Sequence, residues 1–150
     1  MSETITALSD ALLDQLRNDS FALLHTIDSE TGAPSSNAIS WLHPVDSGRL
    51  RFAVDQRSRL IANIRGNGSV TLTVFAEESV KAIYGKARVV ADTLEGVPFK
   101  LTCFEVEVGA VRDAMFYGAK ITAIPAHEKT YDKRAADKLD GQVFDAMKKA

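Results

Sequence analysis

The chain has a single cysteine, Cys103, in 150 residues. One thiol cannot close an internal disulfide, and within one chain it excludes Cys-rich zinc and iron–sulfur sites. Glycine and proline number 9 and 4, too few for a disordered or collagen-like polymer. No apolar run approaches 18 residues, so no segment is long enough to span a bilayer as a helix. The opening Met-Ser-Glu-Thr-Ile-Thr has no basic stretch ahead of an apolar one and does not read as a secretory signal. A cytoplasmic protein with a reduced thiol is expected. Neither sign of charge dominates: 18 Lys and Arg against 20 Asp and Glu leave −2, a balance unsuited to coating nucleic acid. Also missing are a phosphate loop ending in Lys-Ser or Lys-Thr, a G-x-S-x-G elbow and an H-E-x-x-H pair. The histidines, His25, His43 and His127, lie far apart. His25 and His43 are expected on neighbouring strands, and no metal site is expected.

What is present is hydrophobic alternation. Leu8, Leu12, Leu13 and Leu16 recur at helical spacing and predict a helix over about 10–18, with Ser9 as N-cap. Strands are then expected at Phe21–Ile27, Ser35–Leu42, Leu50–Val54, Val70–Phe75, Val80–Ala91 and Leu101–Val111. Turn chemistry marks Asp28–Gly32 and Pro44–Gly48. A short helix over Ser58–Arg65 is expected to end at Asn67-Gly68, since Asn and Gly tolerate the left-handed conformation that a C-cap needs. Gly85, inside a long strand, predicts a bulge or a close backbone approach. Glu105 and Glu107 share one strand face and read as solvated. Residues 116–130 have no sustained period. Asp132 is placed to cap a last helix to about Lys149, weakened by Gly141. One domain over residues 1–150 is expected: mainly β, a small barrel of six or so mostly antiparallel strands with peripheral helices.

Two segments carry chemistry. Arg57-Ser58-Arg59 opens the short helix, where free N–H groups, a hydroxyl and two guanidinium forks suit a phosphate. The same residues also fit a solvated helix start with Ser58 as N-cap, and the local sequence leaves both open. Ser35-Ser36-Asn37-Ala38-Ile39-Ser40-Trp41 combines small polar side chains with one large ring, which lets a flat ligand lie against the backbone. A nucleic-acid surface built from Arg49, Arg51, Arg57, Arg59 and Arg65 around Phe52 is disfavoured by the acidic total. Cys103, between Thr102 and Phe104, reads as a packed, inert thiol.

Together these segments resemble the pyridoxamine 5′-phosphate oxidase-like family, the FMN-binding split barrels. The resemblance covers about Leu8 to Val90. It rests on a hairpin with Gly32-Ala33-Pro34, the strand Ser36–Trp41, the strand Leu50–Val54, Ser58-Arg59 opening a helix with Asn63-Ile64, and Val80-Lys81-Ala82-Ile83-Tyr84-Gly85-Lys86-Ala87. It implies FMN in a groove at a homodimer interface. The isoalloxazine ring would lie along Asn37, Ala38, Ile39 and Ser40, with Ala53, Val54 and Asp55 also approaching the flavin. Ser58 and Arg59 match the family's phosphate-binding pair, and Arg57 stands ready to add a charge. The chain departs from the pattern at Leu60, where relatives often carry Lys, and at Val54, where they often carry a hydroxyl. Val80 stands where the family has a glutamine, and the substrate-holding C-terminal segment of true pyridoxamine phosphate oxidases is not evident. The resemblance therefore implies an FMN-dependent oxidoreductase for a small substrate, with no side chain named as its acid or base. It leaves as alternatives a non-catalytic flavin- or phospholigand-binding dimer, or a deazaflavin or haem in the same groove.

Overall fold

Alternation in the sequence becomes alternation in space, because successive side chains of a strand point to opposite faces. The computed structural model describes residues 4–18 and 21–150. In it β2 (Ala22–Ile27) buries Ala22, Leu24 and Thr26, and β6 (Ser69–Ala76) buries Val70, Leu72, Val74 and Ala76. The other strands are β1 (Thr4–Ile5), β3 (Pro34–Ile39), β4 (Leu42–Asp46), β5 (Arg49–Asp55), β7 (Ser79–Ala91) and β8 (Leu101–Asp113). Their pairings are all antiparallel, in the order β3-β2-β6-β7-β8-β5-β4, with β1 beside β8.

The two edges of this order are consecutive in sequence. β3 ends at Ile39 and β4 starts at Leu42, and three Cα steps reach at most about 11 Å. The sheet therefore rolls until its edges approach. No ladder joins β3 to β4 among the described residues, so the barrel is split along that seam. Inside it, Leu12 and Leu16 of α1 (Asp10–Asn18) and Leu60 and Ile64 of α2 (Arg59–Gly66) join Leu24, Leu50, Leu72 and Ile83 in one core. Phe52 stacks on Phe104 at 5.3 Å in its middle. Asn63 of α2 is buried with both ends of its amide satisfied: it donates to Thr26 Oγ1 at 3.1 Å and accepts from the Ser29 N–H at 2.9 Å. Ser9 caps α1 by accepting from the Leu12 N–H. A second apolar cluster lies outside the barrel, where Val143, Ala146 and Met147 of α3 (Lys133–Lys149) cover Ala53, Leu101 and Cys103.

Several expectations need correction. The stretch expected as one strand over 35–42 breaks at Ser40, and most of the expected second turn is β4. Pro44 is tolerated there because β4 is an edge strand, where a missing N–H costs no ladder bond. β1, two residues long, left no pattern to read. Asn67 is extended at φ −151°, not left-handed, and its side chain accepts from the Ser69 N–H instead. Gly141 does not break α3, because it faces open space on the solvent side. Glu105 is buried, 3 % exposed, and ion-paired to Arg51 and Arg88 at 3.1 and 2.7 Å, because α3 roofs the outer face that it shares with β5. Glu107 does remain exposed. His25 and His43 are not on neighbouring strands: β2 and β4 lie near opposite ends of the sheet order. By contrast, Gly32 takes the expected positive φ of 75° in its turn, and Asp132 caps α3 by accepting from the Ala135 N–H.

Gly85 marks a register shift in β7, and a Cβ added there would stand 2.4 Å from the Glu107 carbonyl oxygen. Backbone cannot move aside as a side-chain tip can, so Gly85→Ala is expected to destabilise the fold by about 2 kcal/mol in urea denaturation. Cys103 is fully buried, and burial pushes its thiol up to about 11. Iodoacetamide at neutral pH is therefore expected to leave the native protein unmodified and to alkylate it once urea unfolds it. Rapid labelling of the folded protein would contradict that packing.

Candidate functional site

At the seam the chain leaves β3, crosses through Ser40 and Trp41, and rejoins the sheet where the Ala53 N–H donates to the Trp41 carbonyl at 3.1 Å. A groove of about 450 Å³ opens beside this crossing. One wall is β3 and the crossing, with Asn37, Ala38, Ile39 and Ser40. Asn37 and Ala38 are exposed, as edge positions with no further strand to cover them. The opposite wall is the end of β5, with Ala53, Val54 and Asp55, followed by Ser58 and Leu60 at the start of α2. Eight of the ten site residues expected from sequence thus surround one concavity. The other two, Arg57 and Arg59, flank it without lining it.

Local geometry explains where those arginines go. Asp55 folds the turn after β5: its carboxylate accepts the Arg57 N–H at 2.8 Å and its carbonyl accepts the Ser58 N–H at 2.9 Å. The Arg57 guanidinium then returns to the same carboxylate, with Nε at 3.1 Å from Oδ1 and Nη2 at 3.1 Å from Oδ2. These side-chain and backbone hydrogen bonds hold the Asp55 carboxyl below its ordinary range and raise Arg57 above its own. Arg59 reaches out of α2 to Asp28, 3.2 Å away in the β2–β3 turn. Asp28 is held low first by the Glu30 N–H, then by the Arg59 charge. Ser58 is the N-cap, its hydroxyl oxygen accepting from the Leu60 N–H at 3.2 Å. The capped helix start is thus the reading that the geometry displays, and Ser58 lines the groove as it caps α2.

Two further lining residues, Lys129 and Tyr131, come from the aperiodic segment before α3. Asp140 of α3 joins Lys129 to the crossing. It accepts the Trp41 indole N–H at 2.8 Å and lies 3.4 Å from the Lys129 ammonium. Trp41 is therefore both a packing residue against α3 and part of the groove wall. No local pattern announces this group, since Trp41 and Asp140 are 99 residues apart in sequence.

A larger depression, about 680 Å³, lies on the outer face of β2, β6, β7 and β8. His25 stands at its side with both ring nitrogens engaged, by Ser36 Oγ and Thr73 Oγ1, each at 2.9 Å. Among the described residues no group of three His, Cys, Asp or Glu side chains is placed to hold a metal ion, and no helix is long and apolar enough to cross a membrane.

The family model for pyridoxamine 5′-phosphate oxidase matches residues 8–111. No curated protein matches the chain. HupZ of Group A Streptococcus superposes with a TM-score of 0.60 at 15% identity, over 75% of this chain and 98% of that one. A Lactobacillus delbrueckii protein assigned as a pyridoxamine 5′-phosphate oxidase gives a TM-score of 0.60 at 16% identity, over 71% and 94%. An F420 reductase gives 0.52 at 19% identity, over 61% and 87%. At these identities the solved structures share the fold. The family match spans well over half of the chain, and with the mainly β split barrel it places this protein in the pyridoxamine 5′-phosphate oxidase family.

Proposed function

We propose that the seam groove binds FMN and that the protein is an FMN-dependent oxidoreductase acting on a small substrate. The observation that carries the reading is the convergence of β3, the end of β5 and the start of α2 on one groove. Its residues suit a flavin. A flat ring system needs small side chains and accessible backbone polar groups, and the edge strand β3, with Asn37 and Ala38 exposed, supplies both. Ser58 offers a hydroxyl to a phosphate and the positive end of the α2 dipole favours one there, while the Leu60 and Ile61 N–H groups are taken by Ser58 itself. Arg57 and Arg59 stand alongside in exposed ion pairs of the kind that water weakens.

When bound, FMN supplies the redox chemistry through hydride transfer at its N5. This chain's part is to bind, orient and shield. Trp41, pinned by Asp140, and Tyr131 wall the groove against solvent, and Lys129 brings a positive charge to it. An F420 reductase with this fold keeps a deazaflavin in play as the ring system. A second reading, a flavin or phospholigand holder without turnover, is favoured by Val54 and Leu60 on the groove and by the prior pairing of Arg57 and Arg59. In both readings the working unit is a homodimer in the cytoplasm. Tyr84, 38 % exposed, lines the large depression and offers an apolar surface to a second chain.

After incubation with FMN and desalting, the purified protein is expected to retain about one flavin per chain by its visible spectrum. Ser58→Asp, which sets a carboxylate against the phosphate, is expected to weaken retention about tenfold or more. Protein that comes through colourless overturns the reading. Anaerobic bleaching of retained flavin by NADH or NADPH separates the oxidoreductase from the holder. Sedimentation velocity at micromolar concentration is expected to show the mass of two chains, and a monomer there contradicts the shared groove.

A further inference from the structure

A separate concavity of about 460 Å³ lies where α1 and α3 converge on β4. It shares no lining residue with the seam groove. Leu16, Leu42 and Pro44 lie buried beneath its floor, and the half-buried Phe144 gives it an apolar wall. Its remaining lining is Arg17, His43 and Lys148, and among the described residues no carboxylate lines it. Arg17 and Lys148 have no ion-pair partner among the described residues.

Basic residues in the last turn of a helix ordinarily answer to the helix dipole. Here that role is filled by other groups. In α1 the Asn18 amide donates to the Asp14 carbonyl at 2.8 Å. In α3 the Arg51 guanidinium donates to the Met147 carbonyl at 2.8 Å and to Ala150 O at 2.6 Å. Arg17 and Lys148 are therefore surplus to the helix ends and line the cavity instead. His43 sits among like charges. Burial pushes its pKa below the ordinary value, and Lys148 of α3, Arg51 of β5 and Arg17 of α1 push it the same way, with no acidic group among the described residues opposing them. Arg51 is already engaged by Glu105. The corner thus joins uncompensated positive charge to an apolar surface, in a volume typical of small-ligand sites.

We propose that this corner binds a small organic carboxylate with an apolar body, its carboxylate among Arg17, His43 and Lys148 and its body against Phe144. The anion would relieve the repulsion on His43 and so favour the imidazolium. Binding then takes up a proton, and affinity rises as pH falls through the range in which the imidazole charges.

Octanoate is the probe, read by NMR of the His43 imidazole in the full-length protein, with or without flavin. Octanoate is expected to bind saturably below about 1 mM. It is expected to raise the His43 pKa and to bind more tightly at about pH 6 than at about pH 8. Arg17→Gln and Lys148→Gln change exposed side chains and are each expected to weaken octanoate about tenfold while leaving 1-octanol binding and the thermal midpoint unchanged. Equal affinity for octanoate and 1-octanol, or a His43 titration unaltered at saturating octanoate, overturns the proposal. Both outcomes are read in the unsubstituted protein and do not depend on whether the seam holds FMN.

Discussion

Ser40 and Trp41 tie together two sheet edges that never pair. A rolled sheet normally removes its edges by closing the last ladder. Here the link between β3 and β4 is too short to let the edges drift apart, yet the edges stay unbonded. The fold therefore keeps a row of unpaired backbone groups inside a concave surface of its own, rather than presenting them to another chain. Pro34 in β3 and Pro44 in β4 fit this state, since each lacks a donor that a closed ladder would have used. A split barrel on these terms has its polar recognition surface built from main chain, and the side chains around it need only be small.

Holding that seam open falls to α3, which packs on the outer face of β5 and β8. Apolar contact from Val143, Ala146 and Met147 drives the packing. Register comes from charge. Glu105, buried beneath the helix, holds Arg51, and Arg51 in turn binds the last carbonyls of α3. A buried ion pair adds little net stability over apolar packing but is costly to leave half-made, so the helix has one seat that satisfies Arg51. In that seat Asp140 meets the Trp41 indole across the seam. One chain of contacts thus runs from a buried carboxylate on β8, through α3, to the wall of the groove.

The sequence made the barrel strands, the three helices and the Gly32 turn legible because these depend on short-range pattern: period two, period 3.6, and residues that cap or tolerate positive φ. It left β1 and β4 unread, β1 for its brevity and β4 because Pro44 and the following Asp46-Ser47-Gly48 carry turn chemistry on an edge. Glu105 was unreadable for a different reason. Alternation on a strand says which face a side chain occupies but not whether a helix 28 residues later (Lys133 − Glu105) will roof that face. The same limit hid Lys129, Tyr131 and Asp140, whose place at the groove is set by the docking of α3. The β3, β5 and α2 walls were legible through resemblance, and the structure then brought them together.

The electrostatics of the groove turn on Asp55. It lines the groove, and its hydrogen bonds to Arg57 keep it ionised. A bare carboxylate there would repel the phosphate of the proposed ligand. Arg57 is bidentate on that carboxylate and 90 % exposed, so it offsets the charge from outside without filling the groove. Arg59 does the same for Asp28 across the turn. On this arrangement the arginines that the sequence suggested as a phosphate clamp act first by neutralising their own acidic neighbours. In the proposed complex that leaves the Ser58 hydroxyl, with the α2 dipole behind it, to face the phosphate. Leu60 adds an apolar side chain to the same groove, so that on the proposed function its contribution is to packing and not to charge.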